Sequence, residues 1–155
     1  MSFTNSNDYI TGRKPVVFPA GSELVAQRFT LDLATADLTV NTIGQIGVLP
    51  AGCIPTQLIV DCDDIDSNAT PTVAMSIGVL NAAGTALSTS TDDGGGYWAT
   101  SVVTGKAGGM DFPTTKALQR VNQTSSDRKI GILITTAAAT AVAGTIGVTL
   151  YYRAP

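Results

Sequence analysis

The chain has 155 residues, 44% of them hydrophobic and only 14% charged, with a net charge of −3. That length fits one domain able to bury a core without metal or disulfides, and its nine cations are too scattered for a nucleic-acid-binding patch. With no histidine in the chain, Ser-His-Asp and Cys-His catalysis are excluded and an ordinary zinc site is disfavoured.

Residues 1–22 read as an extended N-terminal arm and residues 23–155 as a single β-domain. The arm starts polar and then carries Arg13-Lys14-Pro15 and Phe18-Pro19-Ala20-Gly21. Its prolines block ladder hydrogen bonds. Its apolar residues, Tyr9, Ile10, Val16, Val17 and Phe18, suit a segment that docks on its own domain or on a neighbour.

Strand signals follow in chain order. Val25, Phe29, Leu31 and Leu33 mark a first long strand, its apolar face broken by Gln27. A second falls between Thr39 and Leu49 and ends at the turn signal Leu49-Pro50-Ala51-Gly52. Residues 54–62 form a third, with Leu58, Val60 and Cys62 pointing inward. Val73, Met75, Ile77 and Val79 alternate as a fourth. Asn81-Ala82-Ala83-Gly84 is a hairpin loop into a fifth near residues 85–88. A sixth covers 97–103 and a weak seventh 116–121. Two strong strands close the chain at 129–136 and 145–153. No stretch sustains a 3.6-residue period, although 31–38 or 114–121 has room for one helical turn. Many short strands between Gly, Pro, Asn and Asp turns indicate an all-β sandwich or barrel.

The last segment, from Ile130 to Tyr152, has no charge and is long enough to cross a bilayer as a helix. Its patterning argues for a sheet. Ile130, Ile132 and Ile134 share one parity, and Ile146, Val148, Leu150 and Tyr152 share another. Small residues fill its centre. Met1–Asp8 lacks a basic start and an apolar stretch, so the expectation is a protein made in the cytosol. Cys53 lies in the turn before the third strand and Cys62 near that strand's end. A bridge would fold the strand back on itself, so both are expected as free thiols.

The acidic run Asp61-Cys-Asp-Asp-Ile-Asp66-Ser-Asn68 is the sharpest polar feature. It fails the EF-hand pattern, because Asp66 and Thr72 stand where glycine and glutamate are needed. A strand end followed by a turn whose Asp and Asn side chains bind their own backbone accounts for it. A loose cation site or a contact with a basic neighbour stays open. Asp92, Asp93 and Asp111 lie in Gly-rich loops, and nothing marks two of them as the carboxylate pair of a glycosidase. Gly94-Gly95-Gly96 before Tyr97-Trp98 suits either sugar stacking or a mobile loop leading to a buried Trp98. The low charge fits a surface partly covered by another protein, and equally a Thr/Ser/Gly-rich β-protein of uncharged polarity.

Three segments carry a resemblance: Leu49-Pro-Ala-Gly-Cys-Ile-Pro55, then Val60-Asp-Cys-Asp-Asp-Ile-Asp-Ser-Asn-Ala-Thr-Pro71 with Ser76-Ile-Gly-Val-Leu80, and the ending Asp127–Arg153. Together they resemble the capsid cement, or decoration, proteins of tailed bacteriophages, over roughly residues 45–155. The resemblance implies a jelly-roll-like antiparallel β-sandwich of about eight strands. It also implies a homodimer or homotrimer on the outer surface of the virion, bound to the major capsid protein, with no enzymatic activity and no cofactor. Nucleic acid and membrane are not expected partners. The expected capsid-contact residues are Tyr9, Arg13 and Phe18 in the arm, Asp63 and Asp64 in the acidic turn, and Asp92 and Asp93 in the Gly-rich loop. The alternative is a carbohydrate-binding sandwich of a phage tail or fibre, stacking its ligand on Tyr97 and Trp98.

Overall fold

The computed structural model describes residues 1–155. Eight strands form: β1 (Val25–Leu33), β2 (Ile43–Leu49), β3 (Ile54–Cys62), β4 (Ala74–Val79), β5 (Ala99–Val102), β6 (Gly109–Asp111), β7 (Arg128–Thr136) and β8 (Gly144–Arg153). They pair antiparallel into two four-stranded sheets, ordered β1-β8-β3-β6 and β2-β7-β4-β5. Every link except β4–β5 crosses from one sheet to the other. This is the winding of a jelly-roll β-sandwich. No helix is long and apolar enough to cross a membrane.

Period-2 patterning places the core. Phe29, Leu31 and Leu33 of β1 and Leu58, Val60 and Cys62 of β3 are buried, as are Ile146, Val148, Leu150 and Tyr152 of β8. They face Met75 and Ile77 of β4 and Ile130, Ile132 and Ile134 of β7, in one continuous apolar core. On the outer face of the first sheet, Gly147 of β8 lies between β1 and β3. Because it has no side chain, Arg28 reaches over it, and its Nε donates to Asp61 Oδ1 at 3.1 Å. A Cβ at Gly147 would collide with both partners.

Three local expectations change. Residues 85–88 make only a single bridge, Leu80 with Leu87, because the loop spends its backbone groups on the Asn81 turn. Residues 116–121 hold a 3-10 turn at Leu118–Arg120, which buries Leu118 in the core from a loop. β6 arises inside a segment read as a loop; all three of its residues are exposed, so it has no apolar parity to announce it.

The arm lies along the sandwich. β1 and β2 are the open edges of their sheets on one side, and such edges need covering. Ser2 bridges in parallel to Ile43, and Phe3 covers Gly44. The Asn7 side chain donates from Nδ2 to Thr30 O of β1 and Ile46 O of β2, each at 2.8 Å, joining the two edges. Tyr9 stacks edge-on against Phe29 at 5.0 Å between ring centroids, and its hydroxyl accepts from Gln27. That polar partner explains why Gln27 interrupts the apolar face of β1. Further along, the Tyr152 hydroxyl donates to Val17 O. Asn7→Ala should therefore cost about 1–2 kcal/mol and loosen residues 1–14. Limited trypsinolysis after Arg13 should speed up markedly, the Lys14-Pro15 bond being resistant to trypsin; an unchanged cleavage rate would mean that other contacts hold the arm.

Candidate functional site

The winding gathers the loops at two ends. The links β1–β2, β3–β4, β5–β6 and β7–β8 share one end. There Asp66, only 1% exposed, accepts four backbone N–H bonds. Thr72, Val73 and Ala139 donate to Oδ2 at 2.7, 3.1 and 2.9 Å, and Thr140 donates to Oδ1 at 2.8 Å. One carboxylate thus fastens the β3–β4 loop to the β7–β8 loop. Burial pushes its pKa up, but the four N–H groups outweigh burial and hold it well below the usual carboxylate range.

The rest of the acidic run is engaged in the same architecture. Asp61 pairs with Arg28, Asp63 accepts from Thr145 N at 2.8 Å, and Asp64 accepts from Asp66 N at 3.1 Å. Asp63 and Asp64 remain exposed. No cluster of three or more metal-ligating side chains forms, here or elsewhere. Cys62 lies beneath this run; burial first, then Asp63, Asp61 and Asp64, push its thiol up to about 12, so it is not a nucleophile. Cys53 is also buried and free.

At the other end, the β2–β3, β4–β5 and β6–β7 loops meet on Arg128, which is 6% exposed. Its Nη1 donates to Asn122 O at 2.9 Å and Asp92 O at 3.1 Å, and its Nη2 donates to Cys53 O at 2.9 Å. Asp93 Oδ1 lies 3.6 Å from Nη1 as the counter-ion. Burial lowers the guanidinium pKa and Asp93 opposes that shift. An arginine heading an apolar strand reads as a flank in the sequence; its three carbonyl partners come from distant loops, and no local pattern foretells them.

These contacts relocate several candidate residues. Asp93 is committed to Arg128 and largely buried, and Asp92 is exposed but bonded to Asn122 through Oδ1 at 3.2 Å. Trp98 is fully buried, its Nε1 donating to Asp93 O at 3.0 Å. It therefore cannot stack on a sugar, which corrects that part of the carbohydrate reading. Tyr9 is docked on its own domain. Arg13 is exposed beside Asp8, and Phe18 is 58% exposed. Val17, one of the arm residues read as suited to docking, is exposed beside Phe18; the sequence patterning missed Leu24, and Met110 and Phe112 on and beside β6, Met110 at 64% exposure.

The same end carries a groove of ≈ 520 Å³ between Gly94–Tyr97 of the β4–β5 loop and Thr115–Arg120 of the β6–β7 loop. Gly94 has φ +98°, and a Cβ there would overlap the Ala117 carbonyl, so only glycine lets the two loops close on each other.

The geometry defines a jelly-roll module whose loop ends are fastened by buried ions. No family model matches the chain, and no curated protein matches it. Solved structures do. A chain in the capsid of Ralstonia phage GP4 is similar at a TM-score of 0.81 and 24% identity, covering 96% of this chain and 96% of that one. A chain of the cyanophage Pam1 capsid asymmetric unit is similar at a TM-score of 0.62 and 19% identity, covering 98% of each. At those identities the likeness establishes the fold.

Two measurements check the loop ends. Arg128→Met leaves three carbonyls and Asp93 without their donor, and should cost about 3–5 kcal/mol in chemical denaturation; a loss below about 1 kcal/mol would contradict the role given to Arg128. Asp66 has a folded-state pKa below its unfolded value. Its contribution is complete above the unfolded pKa of about 4 and drains away as pH falls below it. Asp66→Asn should flatten that acid limb and lower stability at neutral pH, whereas an unchanged limb would assign acid unfolding to other carboxylates.

Proposed function

We propose that this chain is a capsid cement protein. It binds the outside of a phage head through the major capsid protein lattice, self-associates as a homodimer or homotrimer, and stabilises the shell without catalysing a reaction or carrying a cofactor. The observation that carries this reading is the end-to-end likeness to chains from two phage capsids. Each matched chain is covered almost completely, so the domain there has about the size it has here. The segments at residues 49–55, 60–71, 76–80 and 127–153 resemble cement proteins independently of that likeness.

The surface supports the reading. Val17, Phe18 and Leu24 are exposed around the point where the arm enters β1, close to the Arg153 end of β8. Grouped exposed apolar side chains mark contact surfaces in soluble proteins. Of the contact residues named from sequence, Phe18, Arg13, Asp63, Asp64 and Asp92 retain accessible side chains and stay in the proposal. Tyr9 and Asp93 act inside the domain instead, as supports for the arm and for the loop end. The weak individual contacts of such a surface suffice when many copies engage one lattice.

Mass spectrometry of purified particles should find the chain at a fixed, high copy number relative to the shell protein. Phe18→Asp should keep the fold and weaken co-sedimentation with heads by about tenfold or more. Absence of the chain from purified particles would sink the reading; full binding by Phe18→Asp would remove Phe18 from the contact surface.

A further inference from the structure

The groove between the β4–β5 and β6–β7 loops has features that a purely structural role does not use. Its lining holds Lys116 and Arg120, and no carboxylate. Neither cation forms an ion pair anywhere in the molecule, and both are exposed. Asp92 and Asp93 follow Thr91 in the same loop, but Asp92 is bonded to Asn122 and Asp93 to Arg128, so Lys116 and Arg120 are the charges among the lining residues. Tyr97 and the Thr91 side of the loop complete the wall, and Gly94, Gly95 and Gly96 present bare backbone to the opening.

We propose that this groove binds a carboxylated sugar residue, a uronic or sialic acid, within a glycan. The volume of ≈ 520 Å³ falls in the range of small-ligand sites. A carboxylated sugar needs a cation for its acid, polar groups for its hydroxyls and apolar surface for its ring; the first two line this groove, and Tyr97, half-buried against Ile43, Leu80 and Leu87, contributes what remains accessible of its side chain. Carboxylate hydrogen bonds to lysine or arginine are charge-assisted and about twice as strong as neutral ones. A compact inorganic anion would use the cations but not Tyr97.

The site is built before any ligand arrives. Gly94 sits against Ala117, and Thr115 N donates to Trp98 O at 2.8 Å. Thr115 Oγ1 donates to Tyr97 O at 2.6 Å, and Gly95 N donates to Ser90 O at 2.8 Å. Asp93, beside this loop, is in turn fixed by Arg128. A preorganised site avoids the ordering cost that mobile loops incur on binding. The groove lies wholly within one chain, so the inference stands whether or not the chain decorates a capsid.

The test is an NMR amide titration of the purified protein with trigalacturonate and with sialyllactose, against maltotriose and inorganic phosphate at matched ionic strength. Saturable shifts are expected with at least one acidic sugar, confined to residues 94–97 and 115–120, and weaker in high salt. The double variant K116E/R120E alters only exposed side chains, should keep the dispersed spectrum, and should weaken binding about tenfold or more. The proposal is overturned by silence with both acidic sugars up to about 20 mM. It is also overturned by equal binding of maltotriose, by equal binding of phosphate at the same amides, or by a double variant that binds as the parent does.

Discussion

The Arg128 guanidinium is the interaction on which the loop-rich end of this protein depends. A jelly roll carries its chain back and forth between sheets, so its loops arrive from strands that are distant in sequence and share no ladder. Something must hold them together. Here one buried cation takes carbonyls from the β2–β3, β4–β5 and β6–β7 loops and sets Asp93 beside them. Removing the partners of a buried charge is strongly destabilising, so the three loops keep their positions jointly or lose them jointly. Asp66 solves the same problem at the other end with the opposite charge, gathering backbone N–H groups instead of carbonyls.

Between these two ends, the arm handles the exposed edges. Asn7 uses one amide group to join the free carbonyls of β1 and β2, which lie in different sheets. Tyr9 and Phe3 then seal the seam. On the opposite side, β6 is short and its neighbour Phe112 is exposed, so that edge is left available. The molecule therefore has one sheet edge on each sheet closed by its own chain, and the β6 edge open.

The long strands were legible because one face of each is buried and side-chain period 2 is strict. Ile130, Ile132 and Ile134, and Ile146, Val148, Leu150 and Tyr152, all point into the core as their parity requires. β6 was not legible, since Gly109, Met110 and Asp111 are exposed and owe their strand geometry to β3 alone. The acidic run was read correctly as a turn that binds backbone, but the partners Ala139 and Thr140 come from a loop that no local pattern links to it. Tyr97 and the glycines drew attention in the sequence; Lys116 and Arg120 did not, because only folding brings the two loops together. Trp98 shows the reverse: an aromatic beside a Gly-rich loop suggested a ligand platform, and packing put it inside.

The central proposal is that this sandwich is a component of a phage head, placed on its outer face. Electron cryo-microscopy of purified particles tests it most directly. The account predicts density for the two four-stranded sheets outside a continuous shell, in contact with the major capsid protein. Intact heads with no such density, or density for this chain only inside the shell or in the tail, would contradict it.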